Sequence, residues 1–159
     1  MTNFDKAFAQ IIGLEGGYTD GETGSSMYDP GGETKFGISK RAYPNETIKE
    51  LTLDRAKFLY KRDYWDKIKG DDLPVPLDSF MFDAAVNQGV DAAIKMLQKA
   101  LSVAQDGIFG VETLRKAKSS GNEVAALFMA ERAFRYTGTR SFDQFGRGWF
   151  KRLFVVAMA

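Results

Sequence analysis

The chain contains no histidine and no cysteine. A Ser-His-Asp triad, a Cys-His nucleophile and the usual His/Cys zinc site are therefore excluded, as is any disulfide. Hydrolytic chemistry in such a chain must be carried by carboxylates, hydroxyls, lysine or tyrosine. Hydrolysis of a glycosidic bond by two carboxylates fits this constraint best. We expect no metal and no cofactor.

Long apolar runs are also missing, since no stretch of about 18 apolar residues is present and no transmembrane helix is expected. The N-terminal residues show neither the basic region nor the apolar region of a secretory signal. We therefore expect the chain to be made and kept in the cytoplasm unless another factor releases it. A length of 159 residues with 44% hydrophobic residues predicts one compact globular unit, expected to be a monomer.

Charge is distributed unevenly along the chain. Residues 1–112 hold 13 Lys/Arg and 18 Asp/Glu, a net charge of −5, whereas residues 113–159 hold 9 and 3, a net charge of +6. A basic C-terminal part indicates an anionic polymer partner such as cell wall, a lipid surface (an outer membrane, for example) or nucleic acid. A solvated helical face is the alternative, and we do not expect nucleic acid as the partner.

The spacing of apolar residues predicts a mainly α fold, a helical bundle with a small irregular β element near residues 34–38. Glycine and capping residues mark the helix ends: Gly16 and Gly17 end the first helix, Thr52 caps the second, and Asp91 caps the fourth. The predicted helices are 3–14, 52–68, 77–88, one beginning near 91, 110–117, 122–136 and a last one in the C-terminal tail.

Glu15 is the first candidate for chemistry. It lies at the predicted end of the first helix, where the negative end of the helix dipole should raise the pKa of a carboxyl group. The two glycines that follow leave room for a bulky ligand. A carboxyl group that stays protonated near neutral pH is what a general acid for glycosidic cleavage requires.

Asp29 and Thr34 lie in a glycine-rich segment and form the second candidate pair. Facing Glu15 across a cleft, Asp29 would stabilise an oxocarbenium-like charge or act as a base, and Thr34 would orient a water molecule. An Asp-Pro-Gly-Gly run is also an ordinary turn. Because the sequence does not define the distance from Glu15 to Asp29, an inverting and a retaining course both stay open.

Polar residues on the predicted helix 77–88 are candidates for substrate binding. Asp83 and Asn87 are four residues apart and share a face, and Gln88 follows Asn87 at the helix end. Amide side chains suit the N-acetyl and hydroxyl groups of an amino sugar, although such residues also cap helices. The aromatic residues Tyr18, Tyr28 and Trp65 are candidate stacking platforms for sugar rings, with burial in the core as the alternative.

Several short motifs occur in a fixed order along most of the chain. They include Glu15-Gly-Gly-Tyr18, Asp29-Pro-Gly-Gly32 with Thr34, Phe82-Asp83 with Asn87 and Gly89, Asp106-Gly107 with Gly110, and Gly148-Trp149. In this order they resemble glycoside hydrolase family 108, the lysozyme-like N-acetylmuramidases of phage endolysins, prophages and some bacterial secretion systems. The segment between Tyr18 and Asp29 is several residues longer than is typical of that family.

The resemblance implies an α+β lysozyme-like fold in which residues 1–89 are catalytic and residues 90–159 form a peptidoglycan-binding region packed against them. It implies Glu15 as the catalytic acid, peptidoglycan as the substrate, and cleavage of the β-1,4 bond from N-acetylmuramic acid to N-acetylglucosamine. A phage endolysin that passes from the host cytoplasm to the periplasm and wall through a holin is the preferred setting, with a secretion-associated bacterial muramidase that uses a dedicated export route as the alternative. A wall-binding protein that does not cut glycan and a chitinase-like enzyme are the competing functions.

Overall fold

The computed structural model of the protein describes residues 1–15, 17–19 and 32–159, with Glu15 described by its backbone alone. Within these ranges the chain forms seven α-helices and one two-stranded antiparallel sheet, so the predicted mainly α architecture with a small β element is confirmed. The elements are α1 Asn3–Glu15, β1 Thr34–Lys35, β2 Ile38–Ser39, α2 Leu53–Tyr60, α3 Leu77–Gln88, α4 Val90–Ala100, α5 Val111–Lys118, α6 Asn122–Thr137 and α7 Phe142–Met158.

The predicted first helix is confirmed, and its apolar face packs into an aromatic core. The Phe4 ring lies 5.4 Å from Trp65 and 5.7 Å from Phe82, measured between ring centroids. One helical turn further on, the Phe8 ring lies 5.7 Å from Tyr60. Such tilted and edge-on contacts are favourable for aromatic rings and add to the burial of their apolar surface. They place α1 against α2 and α3.

The second predicted helix begins as expected but is shorter than predicted. Thr52 caps α2 by accepting a hydrogen bond from the Arg55 backbone N–H at 3.1 Å. The α-helix ends at Tyr60 and continues as a π-helical turn over Lys61–Trp65. The wider turn coincides with complete burial of Trp65, which donates its indole N–H to Asp71 at 2.9 Å. Trp65 is thus part of the core and is not a stacking platform for a sugar.

Helix α3 is the centre of the molecule, with buried residues on every side. It contacts α1, α4, α6 and α7. Gly89, with a φ of 94°, separates α3 from α4. Asp91 does not cap α4 as predicted, since it lies in the first turn of that helix and pairs with Lys95 at 2.9 Å. The division into two regions at residue 89 stays a prediction.

The C-terminal helices α6 and α7 are confirmed but bury less than their apolar content predicts. Phe128 is fully buried, whereas Phe134 on the same helix is 72% exposed.

On α2, Phe58 is also exposed, and the Arg55 and Arg62 guanidinium groups lie over its ring. No helix within the described ranges is both long and apolar enough to cross a bilayer.

Gly70 gives a test of the tight packing around Trp65. A Cβ atom added at Gly70 would lie 2.3 Å from the indole ring, closer than the core allows without rearrangement. We expect Gly70→Ala to lower the free energy of unfolding by about 2 kcal/mol, because overpacking forces a large buried side chain out of its position. Urea unfolding monitored by circular dichroism measures this change.

Gly148→Ala is the matched control. Gly148 lies in α7 with no atom within 4 Å of its ideal Cβ position, and alanine is the better helix former by about 1 kcal/mol. The control should therefore raise the free energy of unfolding slightly. Equal effects of the two substitutions would contradict the packing argument.

Candidate active site

The end of α1 and the small sheet meet through a pair of backbone hydrogen bonds. Helix α1 ends at Glu15, and four residues later Thr19 pairs with Thr34 of β1. The Thr19 N–H donates to the Thr34 carbonyl at 2.8 Å, and the Thr34 N–H donates to the Thr19 carbonyl at 2.9 Å. The candidate residue Thr34 is therefore paired with a residue that follows the candidate acid Glu15 by four positions in the chain.

The sheet itself is a regular hairpin, although the sequence predicts an irregular element. Thr34 pairs with Ser39 and Lys35 with Ile38, which leaves a two-residue turn. Phe36 and Gly37 in this turn have φ values of 53° and 75°, the left-handed pair that suits the twist of a hairpin. The buried Tyr60 donates its hydroxyl to the Phe36 carbonyl at 2.9 Å and so attaches the turn to α2.

Thr34 makes a local hydrogen bond through its side chain. Its hydroxyl donates to the Gly32 carbonyl at 3.3 Å. A hydroxyl that donates its proton in this way keeps its oxygen lone pairs as acceptors. The geometry is therefore compatible with a water molecule that donates one hydrogen to Thr34.

Glu33, a glutamate directly before Thr34, was not among the residues selected from the sequence. The Tyr18 hydroxyl donates to the Glu33 carboxylate at 3.0 Å. The contact ties the segment that follows α1 to the hairpin, parallel to the Thr19–Thr34 bridge. The signal in the sequence was the position of Glu33, directly before Thr34 in the glycine-rich segment. Asp29 and Tyr28, which were selected, lie outside the described residues.

Asp83 is buried and bonded to two arginines. Its side chain is 3% exposed, and the Arg132 side chain is fully buried. Arg132 lies 2.7 Å from one carboxylate oxygen, and the Arg152 Nε donates to the other at 3.0 Å. Both oxygens are therefore occupied by protein groups. This arrangement leaves the Asp83 carboxylate no surface on which to contact a sugar, in contrast to the binding role predicted for it.

The other two selected residues of α3 differ in exposure. Gln88 accepts a hydrogen bond from the Arg132 Nε at 2.9 Å and belongs to the same buried cluster. Asn87 is exposed, and its side-chain oxygen accepts a hydrogen bond from the Tyr136 hydroxyl. Burial raises the pKa of Tyr136 above its usual range, so the phenol stays a donor at neutral pH. Of the three residues, Asn87 is the one whose amide N–H groups face solvent.

Within the described residues, no group of three or more acidic side chains is arranged to hold a metal ion.

The chain combines a mainly α fold, a glutamate at the end of the first helix and a small hairpin whose first strand pairs with Thr19. These features are those of a mainly α, lysozyme-like fold.

Comparison with known proteins identifies the family. The model for glycosyl hydrolase 108 matches residues 8–89, about half of the chain, and this chain belongs to that family. The solved structure of Brucella abortus SagA is similar over 96% of this chain and 90% of that one, with 34% sequence identity and a TM-score of 0.83. No curated protein sequence matches. The matched residues include Glu15, Thr34 and the whole of α3.

The Asp83 cluster predicts a large effect on stability. Arg132→Met would leave a buried carboxylate with one arginine fewer, and breaking a buried pair from one side costs about 3 to 5 kcal/mol. Urea unfolding of the wild type and the variant measures the loss.

An exposed ion pair serves as the comparison. Lys118 pairs with Asp72 at 2.7 Å, but the two side chains are 51% and 46% exposed. Lys118→Met should cost less than about 1 kcal/mol, because solvent screens the pair. Similar losses in the two variants would mean that Asp83 is not held as a buried charge.

Proposed function

We propose that the protein hydrolyses peptidoglycan at the β-1,4 bond between N-acetylmuramic acid and N-acetylglucosamine, with Glu15 as the general acid. The observation that carries this proposal is the family match, which spans the segment from Glu15 to Thr34 and places the chain among glycoside hydrolases. The absence of histidine and cysteine from the sequence supports it, because peptidoglycan hydrolysis by carboxylates needs neither.

Glu15, Asp29 and Thr34 each have a separate role in the proposed reaction. Glu15 protonates the leaving oxygen, while Asp29 stabilises the positive charge that develops on the sugar or activates water. Thr34 accepts a hydrogen bond from that water through the lone pairs left by its bond to Gly32. The backbone bridge between Thr19 and Thr34 supports this assignment, because it pairs β1 with a residue only four positions after Glu15.

Glycan recognition is assigned to the exposed residues near these elements. Tyr18 is 41% exposed and offers a ring face to a sugar, with its hydroxyl held by Glu33. Tyr28 is a second platform. Asn87 presents an amide from the end of α3, and the buried Asp83 and the half-buried Gln88 position that helix end through Arg132. For the biological setting, we propose a phage endolysin that crosses the membrane through a holin.

Glu15→Gln tests the general acid. The amide is similar in shape but cannot donate a proton to the leaving oxygen, so the rate of hydrolysis should fall by about 100-fold or more. Purified peptidoglycan is digested with each protein, the new reducing ends are reduced with borohydride, and the products are identified by mass spectrometry. Reduced muramic acid ends released by the wild type support the proposed bond.

Glu112→Gln is the control for loss of one glutamate, since Glu112 is exposed in the first turn of α5. It should leave the rate unchanged. Full activity of Glu15→Gln would exclude Glu15 as the acid, reduced glucosamine ends would identify a glucosaminidase, and no release by the wild type would favour a glycan-binding protein without hydrolytic activity.

Thr34 is tested by comparing valine and serine at this position. Thr34→Val removes the hydroxyl and should lower kcat on soluble peptidoglycan fragments by about tenfold with little change in KM, because one hydrogen bond to the reacting water is lost. Thr34→Ser keeps the hydroxyl and should keep most of the rate. A valine variant with unchanged kcat would remove Thr34 from the mechanism.

A further inference from the structure

Helices α6 and α7 form an antiparallel pair with an apolar groove between them. The groove has a volume of about 240 Å³ and is lined by Met129, Ala133, Phe150, Leu153, Phe154 and Ala157. All six lining side chains are apolar, and no described residue covers the groove. A groove of this kind on a protein surface commonly binds an apolar partner.

Exposed hydrophobic residues extend the groove into a larger face. On α7, Phe154 is 67% exposed and Met158 is 79% exposed. We call Phe154, Met158 and the groove between the helices the apolar face.

Cations border the apolar face on α7. Arg147 and Lys151 precede Phe154 by seven and three residues, so helical spacing places all three on one side of the helix. Both side chains are exposed, and neither forms an ion pair within the described part of the chain. Asp143 is an acidic residue on the same side of α7, one turn before Arg147.

We propose that the apolar face is a docking surface for an anionic lipid membrane, on which α6 and α7 lie with acyl chains in the groove and lipid phosphates at Arg147 and Lys151. An amphipathic helix binds in the interface in this way, with apolar side chains below the headgroups and cations at their level. Residues 113–159 hold 9 Lys/Arg against 3 Asp/Glu, and the seven cations that do not pair with the buried Asp83 add to the attraction toward the same surface. This inference is independent of the hydrolytic reaction.

Charge favours a membrane over a second copy of the chain as the occupant. Two copies that met through this face would bring their unpaired arginine and lysine residues into one interface. The nearby acidic residues do not offset them: Asp143 lies one turn before Arg147, at the start of α7, and Glu131 of α6 is already paired with Lys99 at 2.7 Å. A phosphate-rich surface neutralises these cations, whereas the same face of another copy does not.

Vesicle co-sedimentation with the full-length protein tests the proposal. The wild type should bind vesicles of phosphatidylcholine mixed with phosphatidylglycerol and should not bind phosphatidylcholine alone. Arg147→Gln with Lys151→Gln should weaken binding by about thirtyfold, given that each cation near an anionic surface contributes about 1 kcal/mol. Phe154→Ser with Met158→Ser should weaken binding by more than about tenfold.

Each double variant has a control that makes the same chemical change elsewhere. Arg115→Gln with Lys116→Gln removes two unpaired cations from α5, and Ile108→Ser with Val111→Ser removes two apolar residues that are 67% and 85% exposed. The controls should bind like the wild type. Circular dichroism melts of every variant establish that the fold is kept.

Three results would overturn the proposal. The first is a wild type that binds neither kind of vesicle, and the second is face variants that bind the mixed vesicles as well as the wild type does. The third is a dimer in sedimentation velocity that the Phe154→Ser and Met158→Ser changes dissociate, because the apolar face would then be an interface between copies.

Discussion

One buried charge cluster holds the main helices of this protein together. Asp83 lies on the central helix α3, Arg132 on α6 and Arg152 on α7, so the two arginines approach the same carboxylate from different parts of the chain. Burying a charge is unfavourable unless its partners are well placed. The cluster therefore constrains where α6 and α7 can pack on α3, and it positions the end of α3, where Asn87 is exposed.

The candidate active site depends on a second set of contacts, which involve α1, α2 and the hairpin. The Thr19–Thr34 bridge joins the chain after α1 to the hairpin, and Tyr60 attaches the hairpin turn to α2. Phe8 of α1 packs against Tyr60 in turn. Helix α1 and the hairpin that carries Thr34 thus share one support, the buried Tyr60.

Local patterns in the sequence predict the helices well because they depend on neighbouring residues. The ends of α1, α3 and α6 follow from helical spacing and glycines, and the Thr52 cap is observed as predicted. The predictions fail where distant residues decide. Trp65 is buried because Gly70 leaves space for its ring, while Phe134 is exposed because no described element covers that side of α6.

The sequence by itself narrows the chemistry, since a chain without histidine or cysteine is left with carboxylates, hydroxyls, lysine and tyrosine for hydrolysis, and its ordered motifs resemble the family that the comparison shows. Tertiary structure decides which polar residues are available to a ligand. Asp83 and Asn87 occupy the same face of α3 and look equivalent in the sequence, but two arginines more than forty residues away enclose the first and leave the second exposed. Helical periodicity describes a single element, whereas burial of a side chain depends on which other elements pack against it.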